Sequence, residues 1–156
     1  MDQIDFYRAK LQYETDSRDL SESLNSGEAV VVIDARSPEA YEFEHIPTAI
    51  NIPHRTMTAE TTNHLDKNKL YVTYCDGIGC NASTKGALKM SELGFKLKEL
   101  LGGLDWWCRD GYETHGKKAR AGNKNQMRLL KITRKNCQEN FLCLLSLKHL
   151  SPHTTL

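Results

Sequence analysis

The stretch YCDGIGCNAST, residues 74–84, contains the residue types best suited to chemistry. Cys75 directly follows an apolar run, and Gly77 and Gly79 separate it from a segment with a helical pattern. Glycines let backbone N–H groups turn inward around a small centre, and a helix N-terminus adds unpaired N–H groups and its positive dipole end. Both effects stabilise an anion and lower the pKa of a thiol. The spacing therefore favours a nucleophilic Cys75; the alternative is an inert small side chain at a strand end.

Cys80 follows Cys75 by five residues, so a reaction between the two thiols is possible. A persulfide or sulfenate on Cys75 could be resolved by Cys80 as a disulfide within the loop. The alternative is that Cys80 packs as a small side chain under the loop. A metal site is disfavoured, because the C-x4-C spacing supplies two ligands and no second pair follows. Asp76 would raise the pKa of the thiol if its carboxylate pointed inward, but we expect it to face solvent or cap a turn.

The segments that must position this loop alternate between strand and helix patterns. Short apolar or β-branched runs predict four strands, at residues 29–33, 49–53, 70–74 and 95–101. Helices are predicted over about 2–14, after Ser17 as N-cap, after Ser37 with Pro38 as the first residue, over 83–93, and over 104–109. This alternation predicts an α/β domain with a largely parallel sheet and an active site at the carboxyl ends of the strands.

The composition is that of a globular domain. The 156 residues are 39% hydrophobic and 26% charged, which leaves room for one domain plus a tail. The longest apolar run has five residues, at 141–145, against the roughly 18 that a membrane span needs. Residues 1–10 lack the pattern of a secretory signal, so we expect a cytoplasmic protein without a membrane partner. Five cysteines in a reducing compartment argue against a disulfide framework.

Charge is distributed unevenly along the chain. Residues 1–115 contain 12 Lys and Arg against 19 Asp and Glu, whereas residues 116–156 contain 9 against Glu139 alone. We therefore predict a domain over 1–115 and a basic tail over 116–156, partly disordered or helical at 127–132 and 141–150. A tail that folds onto the acidic body or extends into solvent is favoured over nucleic-acid binding. The basic cluster at its start comprises Lys117, Lys118, Arg120, Lys124 and Arg128.

Three segments, in the right order, resemble the rhodanese-like sulfurtransferase family over about residues 17–112. Residues 32–53, VIDARSPEAYEFEHIPTAINIP, are similar to the family's D-x-R…Y-x-x-G-H-I-P-G-A-x-N-I-P signature. The second segment is VTYC, residues 72–75, with its loop. The third is LGGLDWW, residues 101–107, with Gly111 and Tyr112, which resembles the ending L-x-G-G-x-x-x-W…G-Y.

The resemblance implies a five-stranded, mainly parallel sheet flanked by helices on both faces, with Cys75 as the catalytic sulfur carrier. The thiolate would take the outer sulfur of a donor such as thiosulfate and pass it to cyanide or to a thiol, including one on a protein. No cofactor and no metal is implied. The loop residues expected to bind the donor are Asp76, Gly77, Ile78, Gly79, Cys80, Asn81 and Ala82.

The chain departs from the family pattern at the loop. The commoner form is C-x4-R-[ST], whereas here Cys80 stands at the arginine position and the nearest cation in sequence is Lys85. The longer loop resembles a subtype with the pattern C-x-G-x-G-C-N-x-[AS]-T-K, and its wider cradle disfavours thiosulfate as the preferred donor. Glu44 and Thr48 replace two glycines of the signature, for which we expect small structural costs.

The remaining candidates favour structural roles or alternative functions. Asp34 and Arg36 are predicted to support the loops through hydrogen bonds or an ion pair, and His45 to bind backbone. A phosphatase would need an arginine six residues after Cys75, where Asn81 stands, so it is disfavoured. The other alternative is a non-enzymatic rhodanese-fold module that binds a partner or senses redox state through Cys75 and Cys80.

Overall fold

The computed structural model describes residues 1–123, of which Met1–Gly122 form a compact unit. The helices predicted over 127–132 and 141–150, the basic tail from Lys124 onward, Cys137 and Cys143 lie outside the described residues. The strands are β1 (Glu14–Thr15), β2 (Val30–Asp34), β3 (Ile50–Asn51), β4 (Leu70–Tyr74) and β5 (Lys96–Leu100). The helices are α1 (Gln3–Tyr13), α2 (Ser17–Ser26), α3 (Pro38–Phe43), α4 (Ala82–Glu92) and α5 (Gly103–Arg109).

All five strands form one parallel sheet in the order β1-β5-β4-β2-β3. The predicted α/β class is confirmed, and the four strands predicted from apolar runs are present with slightly different ends. The fifth strand is β1, whose two residues pair with β5. In the centre, β4 lies between β2 and β5, and Asp34 stands opposite Tyr74. This register brings the ends of β2 and β4 together at the edge where the loop after Tyr74 begins.

Alternate strand residues divide the core between the two faces of the sheet. On one face, Ile33, Tyr71 and Leu97 pack with Met90 of α4. On the other face, strand residues pack against α2, α3 and α5. Members of this second core are Leu20, Leu24, Val32, Tyr41, Val72, Tyr74, Leu100, Leu104 and Trp107. Helices therefore cover both faces, and they fix the carboxyl ends of the central strands.

Local capping determines where the helices begin. Ser37 accepts a hydrogen bond from the Ala40 N–H at 3.4 Å and Pro38 is the first helical residue of α3, as predicted. The prediction that Ser17 caps α2 is wrong. The cap is Asp16, whose Oδ1 accepts from the Asp19 N–H at 2.8 Å, and Ser17 is the first helical residue. The carboxylate is the better partner for this N–H because it also meets the positive end of the helix dipole.

The N-terminal helix α1 is present as predicted but buries none of its residues. Its start is capped by Asp2, whose Oδ1 accepts from the Asp5 N–H at 2.7 Å. Phe6 and Tyr7 pack edge to face on the helix surface. Across residues 1–123, no helix combines the length and the apolar character needed to cross a membrane.

Glu44 and Thr48, which replace glycines of the signature, differ in backbone conformation. Thr48 has φ 66°, a left-handed conformation that is costly for a β-branched residue. Glu44 has φ −160°, an extended conformation open to any residue, so the predicted cost there is wrong. Its buried carboxylate instead accepts a hydrogen bond from Thr114 Oγ1 at 2.8 Å and pairs with Arg120 at 2.7 Å.

Candidate active site

Cys75 directly follows the central strand β4, at the carboxyl edge of the sheet, and its side chain is buried. Residues 76–81 form the loop, and α4 then begins at Ala82, one residue earlier than predicted. The preceding Tyr74 donates its hydroxyl to Asp34 Oδ2 at 2.6 Å. The nucleophile candidate is therefore held between a strand whose last four residues are buried and the start of a helix, where the parallel fold places ligand sites.

The sulfur of Cys75 faces carbonyl groups of its own loop. It donates to the Cys80 carbonyl at 2.9 Å and more weakly to the Gly77 carbonyl at 3.7 Å. Burial raises the pKa of the Cys75 thiol, the hydroxyl and N–H of Ser83 act in the opposite direction, and the neighbouring Cys80 thiol raises it further. The predicted lowering of this pKa is wrong, because burial outweighs the donors at the helix start.

Ser83, buried in the first turn of α4, links the thiol to a carboxylate. Its Oγ lies 3.4 Å from Cys75 Sγ and 2.7 Å from Glu99 Oε1. The hydroxyl has one hydrogen, so it donates either to the sulfur or to the carboxylate. Thr84 also donates to Glu99 Oε1, at 2.8 Å. Glu99 reaches the site because β5 pairs with β4 opposite Thr73, a neighbour that spacing along the chain does not reveal.

A buried ion pair holds the first residue of the loop. Arg36 donates to Asp34 Oδ2 at 2.7 Å, to Asp76 Oδ1 at 2.8 Å and to the Glu44 carbonyl at 2.6 Å. Burial lowers the pKa of Arg36, but the hydrogen bonds and charge of Asp34 outweigh it, so the pKa is raised and the guanidinium stays charged. Asp76 faces solvent, one of the two predicted outcomes, with 68% of its side chain exposed, and it also pairs with Arg36.

The start of α5 holds the beginning of the loop through two backbone hydrogen bonds. The Leu104 N–H donates to the Cys75 carbonyl at 2.9 Å, and the Asp105 N–H donates to the Asp76 carbonyl at 2.8 Å. Gly103 has φ 56°, and a Cβ there would collide with the Cys75 carbonyl oxygen. The second glycine of the GG pair therefore permits this close approach of two backbones.

The loop residues separate two surface depressions. One is lined by residues 76–80 together with Asp105, Trp106 and Arg109. The other lies between the start of α3, the loop after β3 and the far side of Cys80, and includes Arg36, His54 and Arg55. Cys80 lines both, and its thiol raises the pKa of the Cys75 thiol. Arginines from other segments thus border a loop that has none of its own.

The other predicted site residues lie along the loop, at the start of α4 or after α3. Ile78 is 80% exposed at the loop tip, and Asn81 precedes α4 without a side-chain cap hydrogen bond. Ala82 is buried at the helix start. His45 stacks on the Tyr41 ring, and its Nδ1 lies 2.7 Å from the Tyr41 carbonyl oxygen. The Cys75 thiol is thus contacted by its own loop and by Ser83 of α4, which in turn binds Glu99 of β5.

A model of the Rhodanese-like domain family matches residues 16–110. The chain belongs to this family. Among solved structures, the BH2092 protein from Bacillus halodurans is 41% identical to this rhodanese-like domain with a TM-score of 0.72, covering 81% of this chain and 96% of that one. A rhodanese-related protein from Thermoplasma volcanium is 28% identical with a TM-score of 0.58, covering 66% of this chain and 97% of that one. Both agree with the predicted fold.

Curated relatives of this rhodanese-like domain include sulfurtransferases. Thiosulfate sulfurtransferase PspE from Escherichia coli K12 is 37% identical over 73 residues, which cover 46% of this chain and 68% of that protein. A tRNA sulfurtransferase from Thermoplasma acidophilum is 42% identical over 53 residues, which cover 34% of this chain but only 10% of that protein. These similarities support rhodanese-type sulfur transfer in general.

Proposed function

We propose that this protein is a sulfurtransferase in which Cys75 carries sulfane sulfur as a persulfide. The observation that carries the proposal is the position of the Cys75 thiol at the end of β4, with Ser83 Oγ 3.4 Å from its sulfur. The Cys75 thiolate attacks the outer sulfur of the donor, a new S–S bond forms, and the donor leaves as sulfite or a thiolate. Cyanide or an acceptor thiolate then attacks that outer sulfur and restores the Cys75 thiolate.

On the side of the loop lined by Asp76 and Asp105, the charges favour a persulfide donor over thiosulfate. Asp76 and Asp105 border the depression beside the loop, and Arg36 is already engaged with Asp34 and Asp76. A dianion would meet these carboxylates without a free arginine clamp in the loop, whereas a low-charge persulfide would not. The acceptor is a thiol, on a small molecule or a protein, with cyanide as the assay substitute.

Thiocyanate formation tests this function directly. We expect native protein to form thiocyanate from cyanide with a thiosulfate or persulfide donor, and Cys75→Ser to lose at least about 1,000-fold of the rate, since its hydroxyl cannot carry sulfane sulfur. Cys108→Ser is the matched control, because burial raises the pKa of Cys108 to about 11 and that thiol donates to Glu44 Oε1 at 3.7 Å. Turnover retained in Cys75→Ser, or absent from native protein with both donors, would refute the proposal.

A thiol redox switch is the second candidate, supported by the presence of two free thiols in one loop. Cys75 and Cys80 are both free, and the Cys75 sulfur lies 2.9 Å from the Cys80 carbonyl oxygen. Hydrogen peroxide would oxidise the pair to a disulfide, each thiol losing one hydrogen and peroxide becoming two waters. Peptide mass mapping after peroxide treatment should then find a Cys75–Cys80 bridge. Over-oxidised Cys75 without a bridge would exclude this role.

A further inference from the structure

An apolar surface lies directly beside the active-site loop. Ile78 at the loop tip is 80% exposed, Leu101 46% and Trp106 44%, and the three side chains line one depression. We call this surface the loop-side patch. Exposed apolar side chains that lie together, unlike scattered ones, mark sites of contact with another molecule. Because Ile78 belongs to the loop that encloses Cys75, a molecule bound here would contact the loop that encloses the proposed nucleophile.

The rim of the loop-side patch is acidic. Its carboxylates come from Asp16 before α2, Asp76 in the loop, and Asp105 and Asp110 in and after α5. Among the described residues that line the two depressions here, the one cation is Arg109, which pairs with Asp105 at 2.9 Å. An apolar centre with an acidic rim is complementary to an apolar side chain flanked by lysines or arginines.

We propose that the loop-side patch binds the sulfur acceptor, a basic segment of another protein that carries a cysteine beside an apolar side chain. This inference rests on the proposed sulfurtransferase function. The acceptor thiolate attacks the outer sulfur of the Cys75 persulfide, the S–S bond to Cys75 breaks, and Cys75 leaves as the thiolate. The proton of the acceptor thiol goes to solvent, and the flanking basic residues favour that ionisation.

Other occupants are less compatible with the patch. Nucleic acid would bring phosphates against four carboxylates, and an anionic small thiol would meet the same repulsion. Of these carboxylates, Asp76 and Asp105 pair with arginines, whereas Asp16 and Asp110 form no such pair within the described residues. A second copy of this chain would bring the same acidic rim if the patch paired with itself. A basic protein segment satisfies both the apolar centre and the charge of the rim.

The experiment uses the full chain with Cys75 loaded by a persulfide donor. Sulfur transfer is timed to cyanide and to two synthetic peptides of equal length, each with one cysteine next to a leucine, flanked by either three lysines or three glutamates. We expect the lysine peptide to react at least about tenfold faster than the glutamate peptide, and the advantage to shrink in high salt because screening weakens exposed charge pairs.

Variants locate the effect on the patch. Leu101→Ser and Asp110→Asn should lower the rate with the lysine peptide several-fold and leave the cyanide rate unchanged. Leu88→Ser is the matched control, since Leu88 is an exposed leucine of α4 that does not line the patch. It should change neither rate.

Three results would overturn the inference. They are equal rates with the two peptides, a lysine-peptide rate that Leu101→Ser does not alter, and sedimentation showing a dimer that Leu101→Ser dissociates, which would assign the patch to a second copy. If the loaded protein fails to react with cyanide as well, the sulfurtransferase proposal falls and this inference falls with it. Cyanide turnover without peptide preference would overturn this inference alone.

Discussion

At the scale of single residues, the reactivity of Cys75 depends on a balance between burial and the donors of Ser83. Burial raises the pKa of the thiol, and the loop presents carbonyls of Gly77 and Cys80 that stabilise the protonated form. Ser83 supplies a hydroxyl and an N–H that favour the thiolate. In the proposed mechanism the thiolate is the nucleophile, so Ser83 would be the residue through which the start of α4 promotes sulfur transfer.

Replacing Ser83 tests that balance. Ser83→Ala removes the hydroxyl donor, so the pKa of Cys75 should rise and the pH profile of its alkylation by iodoacetamide should move to higher pH. Thr84→Val is the control, because Thr84 also donates to Glu99 but has no hydrogen bond to the sulfur. A profile that stays in place in Ser83→Ala, or moves equally in Thr84→Val, would contradict the role assigned to the Ser83 hydroxyl.

At the scale of elements, strands and helices follow from sequence patterns wherever those patterns are long enough. β4 has the predicted bounds because its run of five ends at the cysteine loop. β1 has only Glu14 and Thr15, neither of them apolar, so no run could indicate it; its position is set by pairing with β5. For the same reason Glu99 was not predicted near Cys75, since only the β4–β5 register brings it there.

In the candidate site too, features that are contiguous in the sequence could be predicted, whereas the contacts around the sulfur could not. The loop, its glycines and the following helix are contiguous, so the sequence predicts Cys75 as the reactive residue. The direction of its pKa shift depends on how deeply the thiol is buried and on which groups face the sulfur, and the sequence does not encode either in its spacing. The Cys80 carbonyl, 2.9 Å away, could not be distinguished beforehand from an N–H of the same loop.

The turn between α3 and β3 allows a prediction on stability. Among residues 1–123, the one non-glycine residue with a positive φ is Thr48, at 66°. The family signature has glycine at this position. Thr48→Gly should increase the free energy of unfolding by about 1 kcal/mol, since glycine adopts this conformation without steric cost. Urea denaturation measures the change.

Glu44→Gly is the contrasting variant in the same turn. The backbone there is extended at φ −160°, and the buried carboxylate binds Thr114 and Arg120. Restoring the signature's glycine at position 44 should therefore destabilise the protein. A gain in stability from Glu44→Gly, or a loss from Thr48→Gly, would show that the turn is not governed by these two backbone conformations.

At the scale of the whole molecule, the first residues of the basic segment are part of the folded unit. The backbone N–H groups of Lys117 and Lys118 donate to the carbonyls of Glu42 and Phe43 at 2.9 and 2.8 Å. Arg120 extends this contact, donating to both carboxylate oxygens of Glu44. The acidic body and the start of the basic segment are therefore joined by specific pairs, and not by a diffuse attraction between opposite charges.

The two ion pairs of this segment should contribute very differently to stability. Arg120→Gln leaves the buried Glu44 carboxylate without its cation and should cost about 2 kcal/mol of unfolding free energy, below the value for a fully buried pair because Arg120 is 47% exposed. Lys117→Gln breaks an exposed pair with Glu42 and should cost less than about 0.5 kcal/mol. Urea denaturation of the full chain compares the two variants, because urea adds no ions that screen the pairs, and equal losses would mean that burial of Glu44 does not determine the strength of this contact.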